Sequence, residues 1–342
     1  MRHMLKRSIF ATVAAAALLA AGAAGAQTIK FGHVDPDEWT SSKKGAAAHI
    51  FKNVVEGESD MKVQIFPAAS LGNETELIQQ AEDGTTPVVM VSGAMQQVCK
   101  PAAVLDIPYM FPSASIAWTV LDGDFGKQLA KTCLDQTGLR TLAYGETGFR
   151  NFTNNVRPIK TPADMKGLKF RVQDVPLYVE MVKALGGEPT PIAWSELPNA
   201  LSTGVVDGEE NPVGVIYNNN LQKLQKYMTL DHHVYATDFL LINNDFYNSL
   251  TDKQKQVIDK AGRMAGLMGR AIQEYTTADG VLKVAADGMQ VYSPTPAELK
   301  EFRDAAQPPV IKFLKSDLGS DAEWIDKLQS AVKSAEGSDK QD

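Results

Sequence analysis

The sequence predicts an α/β protein, long enough for two domains or one large one, whose two halves exchange segments. Three observations carry this. Short strand-like runs alternate with helical periodicities along the whole chain. The two halves are joined by no low-complexity linker and share no internal repeat, so they exchange segments and do not lie end to end. Late in the chain comes one capped helical pattern of about 30 residues, far above the average near 11. A helix of that length serves more than one local core and can bridge two domains.

The elements follow in order. "TIKFGHV" (28–34) is a strand, and a helix over 41–55 carries Ala46, Ile50 and Val54 on one stripe. "MKVQIFP" (61–67) alternates with period two and stops at Pro67. "ETELIQQAEDG" is a helix ending at Gly84, and "VVMVS" (88–92) is a short, continuously apolar strand. Such strands are buried on both faces, so the sheet is expected to be largely parallel. "SIAWTVLDGDFGKQLAKTCLDQTG" is helical with a break near Gly123, and "LRTLAYGE" is a strand. Thr161, Pro162 and Asp164 form a helix start, as N-cap, N1 and N3. "KFRV" (169–172) then places Phe170 and Val172 inward and Lys169 and Arg171 on an outer face. "PLYVEMVKALGG" is a helix with Leu177, Met181, Val182 and Leu185 on one side. "WSELPNALSTG" is a short helix with Ser195 as its cap, and "VVDGEENP" leads from a strand into a polar turn. "DFLLINNDFY" is another strand.

Thr251 and Gln254 make a T-x-x-Q capping box for the long helix, expected to run to about residue 285. Its apolar stripe reads Val257, Ile258, Ala261, Met264, Ala265, Met268, Ala271, Ile272 and Tyr275. "GMQVYSP" is one more strand, Thr295, Pro296 and Glu298 start a further capped helix, and the polar tail after Ser334 is expected to fray.

The N-terminus reads as a secretory signal peptide. Arg2, Lys6 and Arg7 precede the short apolar run "SIFATVAAAALLAAG", and Ala24, Gly25 and Ala26 offer a cleavage site after Ala26. The mature chain is then exported. No later segment is long and apolar enough to cross a bilayer. Removing residues 1–26 takes away three cations and no acid, moving the formal charge from −7 to −10. That balance argues against nucleic acid and anionic membranes as partners. It leaves a local anion site open. Cys99 and Cys133 can pair in an oxidising compartment, but their geometry is invisible in the sequence and the pairing stays open.

Catalytic and cofactor signatures are missing. There is no G-x-S-x-G, P-loop, G-x-G-x-x-G or H-E-x-x-H. Of the mature chain's histidines, His232 and His233 are adjacent and face opposite ways on a strand, which suits structural roles better than metal ligation. Asp207, Glu209 and Glu210 in "DGEENP" could hold a cation or form an acid/base pair, but a solvated turn is the plainer reading. The sequence therefore predicts no enzyme, metal or cofactor. Arginines are more informative. Arg150 in "GFRN" and Arg171 in "KFRV" sit near strand ends, and a guanidinium meets a carboxylate with two parallel hydrogen bonds. Trp194 and Asn211 lie in comparable turns, giving cation, wall and amide donor without a nucleophile.

These residues resemble the substrate-binding proteins of the tripartite ATP-independent periplasmic (TRAP) transporters, the DctP-like family. The resemblance rests on four blocks in order: "FPAASLGNETELIQQAEDG", "GFRNFTNNVRPIKTPADMKGLKFRV", "GGEPTPIAWSELPNALSTGVVDGEENP" and "LLINNDFYNSLTDKQKQVI". It implies a two-lobed periplasmic binding protein fold with segment-swapped lobes and a long bridging helix. Lobe I would be 27–147 plus 237–276 and lobe II 148–236 plus 277–342, with hinges near 147 and 236 and the ligand between the lobes. It implies Arg171 as the carboxylate anchor, Arg150 as a second cation, Asn211 and its neighbour Glu210 in the ligand turn, Trp194 as a packing wall and Asn73 facing the cleft. Trp39 and Tyr235 are placed by segment only. The partners implied are a small organic anion and the membrane subunits of a TRAP transporter, with the receptor a monomer. The leading ligand is a four-carbon dicarboxylate; a sugar, keto or aromatic acid, or a sensory receptor role, is the alternative. The chain departs from the family pattern at Thr85–Pro87, where an Asp is usual, at Pro198, and at Glu209, which would repel a carboxylate if it pointed inward.

Overall fold

A computed structural model describes residues 28–339; the signal peptide expectation falls on residues outside these. The elements in chain order are β1 (Thr28–His33), α1 (Lys43–Glu58), β2 (Lys62–Phe66), α2 (Glu74–Glu82), β3 (Val88–Val91), α3 (Ala114–Asp122), α4 (Asp124–Thr137) and β4 (Leu139–Asn154). There follow β5 (Lys169–Val172), α5 (Pro176–Ala184), β6 (Glu188–Pro191), α6 (Leu197–Ser202), β7 (Gly208–Asn211), α7 (Val213–Asn218) and β8 (Tyr227–Asn243). The chain closes with α8 (Asn244–Ser249), α9 (Asp252–Ala286), β9 (Gln290–Tyr292), α10 (Pro296–Leu318) and α11 (Glu323–Asp339). The segment after Ser334, expected to fray, continues α11. Among the described residues no helix is long and apolar enough to cross a membrane.

The strands form one sheet in the order β2-β1-β3-β8-β4-β7-β5-β6, with β9 beside β8. Parallel pairing holds on the two flanks, β2-β1-β3 and β7-β5-β6. The centre corrects the expectation of a largely parallel sheet: β3–β8, β8–β4 and β4–β7 are antiparallel. β4 and β8 are 16 and 17 residues long, against a usual strand length of about 5–6. Each runs through both halves of the sheet. Their register shifts between Glu146 and Gly148, opposite Thr237 and Ala236, so a bulge interrupts the ladder where the two strands cross the middle of the sheet. Gly148 takes φ +99 there, and a Cβ on it would stand 2.9 Å from Gln273 Nε2.

α9 joins the lobes. Thr251 and Gln254 form the expected capping box, and the helix runs 35 residues to Ala286. Its first turns bury Val257, Ile258, Ala261 and Ala265 against β1, β3 and α1 of the first lobe. Its last buries Val284 with Val213, Ile216 and Met228 of the second. Between these, the inner face is not the expected one. Gly266, Gly269, Arg270, Gln273, Thr276 and Gly280 are buried, whereas Met264 is 40 % and Tyr275 65 % exposed. The helix lies too close to β4 for large side chains: a Cβ on Gly266 would come within 2.7 Å of Ala143 Cβ. α1 shows a smaller correction of the same kind. Its core positions are Ala47, Phe51 and Val55, one residue on from the predicted stripe.

On the other face a continuous core runs under both lobes. It takes Leu177, Met181, Val182 and Leu185 of α5 together with Phe302, Ala306 and Val310 of α10. α11 packs back against α3. Cys99 and Cys133 form a disulfide with Cα atoms 5.3 Å apart, tying the turn at Lys100–Asp106 to α4.

Candidate functional site

The C-terminal ends of parallel strands are where α/β sheets collect ligands, because the connecting loops open there. In this chain Asp35 follows β1, Ser92 follows β3, Gln173 follows β5, Ile192–Trp194 follow β6, and Asn211 ends β7. All of them line one cleft of about 380 Å³. That is the size of a small-molecule site.

The second-lobe wall carries the arginines. Arg171 is 2 % exposed, against the outer-face placement that its strand alone suggests; Lys169, two residues earlier, is the exposed one. Arg171 Nε donates to the Ile192 carbonyl at 2.8 Å, and its guanidinium lies 5.9 Å from the Trp194 ring centre. Its Nη1 is buried with no hydrogen-bond partner among the described residues. Burial, with Arg150 nearby, pushes its pKa down to about 10, so the group stays cationic at neutral pH.

Arg150 is held differently. Its Nε donates to Glu210 Oε2 and its Nη2 to Glu210 Oε1 at 2.8 Å. His233 bridges Glu210 Oε2 (3.2 Å) and Asp231 Oδ2 (2.9 Å). Burial alone would raise Glu210, but Arg150 and then His233 hold it down to about 2. Burial would lower His233, but Asp231 and Glu210 raise it to about 9. The "DGEEN" segment is therefore not a solvated turn. Residues 208–211 are buried strand, because Arg150 and His233 meet the acids there. Glu209 accepts from Thr153 Oγ1 (2.9 Å) and Asn211 Nδ2 (2.5 Å), and burial raises it to about 6.

On the first-lobe wall, from α1 and α2, Asn73 was anticipated but the charged groups were not. Lys43 Nζ reaches Asp35 at 2.7 Å, and Lys44 Nζ reaches Glu74 at 2.5 Å. Asp238 lies behind both, 3.9 Å from Lys43 and 3.5 Å from Lys44. Ser92 donates to Glu74 from N and Oγ, each at 3.0 Å. Burial opposes the charged forms of Asp35 and Lys44, but Lys43 and Lys44 together hold Asp35 at about 2, and Glu74 and Asp238 raise Lys44. Tandem lysines at a helix start read as solvated in sequence. The signal that could have found them is position, since they follow the loop after β1.

Of the eight residues expected at the site, Arg171, Arg150, Asn211, Trp194 and Asn73 line the cleft. Asn73 Oδ1 also caps α2 by accepting from Glu76 N. Three lie elsewhere. Glu210 is behind Arg150. Tyr235 is buried at the crossing, donating to Glu146 at 3.0 Å and accepting from Trp118. Trp39 is 60 % exposed in the loop before α1. Ser195, expected as a cap, makes no capping bond; it lines the cleft beside Trp194. Among the described residues no cluster of three or more His, Cys, Asp or Glu could hold a metal ion.

Comparison with known proteins follows the same geometry. The family model described as bacterial extracellular solute-binding protein, family 7, matches residues 31–317. A sugar acid binding protein from Advenella mimigardefordensis, solved with galactonate, superposes with a TM-score of 0.85 at 31 % identity, covering 91 % of this chain and 99 % of that one. A TRAP periplasmic solute-binding protein from Polaromonas, bound to D-erythronate, gives 0.82 at 32 % identity, covering 89 % of this chain and 98 % of that one. The 2,3-diketo-L-gulonate-binding periplasmic protein YiaO of Escherichia coli is 29 % identical over 319 residues, 92 % of this chain and 94 % of its own. With a two-lobed sheet, two exchanged strands and one bridging helix, the chain belongs to the bacterial extracellular solute-binding protein family 7, the receptors of TRAP transporters.

Proposed function

We propose that this protein captures an organic acid between its lobes, with the carboxylate on Arg171, and delivers it to TRAP membrane subunits. One observation carries the reading. Arg171 is a buried guanidinium on a rigid strand in a cleft wall, and its Nη1 lacks a partner among the described residues. Leaving such a group unmet costs about 1–3 kcal/mol. A carboxylate supplies two charge-assisted bonds to that fork, and a strand holds the fork still, so little ordering is lost on binding.

In this reading Trp194 packs on the ligand, Asn211 and Asn73 offer amide groups, and Arg150 lends a partly offset second charge. Glu210 acts through Arg150 by fixing it. The lobes are residues 27–147 plus 237–276 and 148–236 plus 277–342, they close as hinged bodies about the crossing at Glu146–Gly148, and the receptor works as a monomer after export. Two ligand classes have support. Two arginines in one cleft favour a four-carbon dicarboxylate. The sugar acids held by structural neighbours favour a hydroxylated acid.

Thermal shift against a library of organic acids tests the reading. A ligand at 100 times its Kd should stabilise the fold by about 2.7 kcal/mol. Arg171→Ala should remove the response. Affinity within a few-fold of wild type in that variant would show that Arg171 is not the anchor.

A further inference from the structure

Glu146 is a buried acid that does not line the cleft. It stands at the bulge in the middle of β4. Its Oε2 accepts from Trp118 Nε1 of α3 at 2.5 Å and from the Tyr235 hydroxyl of β8 at 3.0 Å. Its third polar neighbour is another carboxyl group, that of Glu274 on α9, within hydrogen-bonding reach. The cation nearby, Arg270, sits one turn earlier on α9 and is already engaged. Its guanidinium lies 5.5 Å from the Trp118 ring centre and donates to both oxygens of Asp122, at 2.6 and 2.8 Å. Asp238 of β8 is turned to Thr147, at 2.7 Å, and to Lys43 and Lys44. Burial, and then Glu274, push Glu146 up to about 8, so at neutral pH one proton sits between the two acids. With that proton, one carboxyl group donates to the other. Without it, two like charges meet away from bulk water and repel.

The pair joins two elements that must move against each other if the cleft opens. α9 is fixed at its start by Val257 and Ile258 and at its end by Val284, and Glu274 lies between. Beside it, Gln273 abuts Gly148 of the bulge. The conformation in which the two acids meet is one with the cleft bridged. Gln97 Nε2, after β3, donates to the Asp174 carbonyl, after β5, at 2.7 Å. Asn218 Nδ2, at the end of α7, donates to the Ser41 carbonyl, before α1, at 2.6 Å. We propose that Glu146 and Glu274 are a proton switch on the hinge: sharing a proton, they clamp α9 to the β4 bulge and favour the closed cleft, and on losing it they part and favour opening. The proposal rests on the hinge placed at Glu146–Gly148 under the proposed function and adds what biases it. Only the difference in proton affinity between the two conformations can shift their balance, and the carboxyl pair supplies that difference. The receptor then holds its ligand more tightly in acid than in alkaline surroundings.

Spin-label distances test the switch. The labels go on the mature protein at Gln79→Cys and Asn199→Cys, exposed sites on α2 and α6, with no ligand added. A short and a long distance should appear, and the ratio of short to long should fall about tenfold between pH 6 and pH 9. An infrared carbonyl band from a neutral carboxyl group should fade over the same range. Glu274→Gln, at an exposed position, and Glu146→Gln each replace one acid by an amide that donates without a proton from solvent. Each should hold the ratio within about twofold across that range and lack the fading band. Two distances whose ratio does not move with pH overturn the switch and leave the hinge standing. A pH dependence that both variants keep does the same, because other groups then drive it. A single distance at every pH overturns the hinge reading and the switch with it. If Glu146→Gln fails to fold, Glu274→Gln decides alone.

Discussion

Arg150 and Arg171 carry the same charge into the same cleft, yet their removal should affect the empty protein in opposite ways. Arg150 is paired to a buried carboxylate that His233 also touches. Arg150→Met leaves Glu210 and its neighbours uncompensated, and should cost about 3–5 kcal/mol in urea unfolding without ligand. Arg171 has no salt-bridge partner among the described residues to strand. Arg171→Met removes a buried cation that Glu210 and Glu209 offset only from a distance, so the ligand-free protein should keep its stability within about 1 kcal/mol or gain some, while binding is lost. A large destabilisation by Arg171→Met would mean that this guanidinium serves the fold and not a ligand. The same contrast explains what the sequence could reveal. An arginine in "KFRV" gave no sign of burial, since its neighbours in sequence are Phe170 and Val172 and its setting comes from Ile192 and Trp194. Glu210 was equally opaque: its partners lie 60 and 23 residues away.

At the level of elements, α9 and the disulfide make measurable claims. Gly266→Leu should destabilise by about 3 kcal/mol or more, because backbone and Ala143 already fill the space a side chain needs. Leu267→Glu, one position on and 63 % exposed, should change stability by less than about 0.5 kcal/mol. Denaturant melts of both variants check the pair. Cys99→Ser opens a loop with a sequence separation of 34 and should cost about 4 kcal/mol on the chain-entropy model, with reduction of the wild type giving a similar loss. Element starts were legible because caps are local: Thr251 with Gln254 and Thr295 with Glu298 close as expected. The inner face of α9 was not legible. Large apolar residues define a stripe in sequence, but a helix pressed onto a strand needs glycine there, and closeness is a tertiary property. The antiparallel centre was hidden for a related reason, since apolar runs do not say which strand they will meet.

For the whole molecule, buried titrating groups set a pH profile. Asp106, Glu146 and Glu209 are raised to about 7, 8 and 6, chiefly by burial, so the fold favours their protonated forms. Their contribution is complete below about pH 4 and fades as pH rises through those values. His233 is raised to about 9, so its contribution is complete below its ordinary value near 6.5 and is lost by about pH 9. Asp35 and Glu210 are held at about 2 and work the other way, contributing above about pH 4–4.5 and losing it as pH falls towards 2. The melting temperature should therefore peak near pH 5 and decline steadily to pH 9. A flat profile between pH 6 and 9 would show that these groups do not titrate with the fold.

The exchange of β4 and β8 also governs the order in which the chain can fold. β3 finds its antiparallel neighbour only in residues 239–242, some 150 positions later. When only the first 226 residues have been synthesised, β3 and β4 still present bare edges to solvent, which invite pairing with another chain. Neither lobe can finish its sheet before β8 arrives, and the nascent protein must stay unpaired or chaperoned through two thirds of its emergence. Long-range pairing of this kind slows folding. The strand that joins the two lobes thus also makes them mature together.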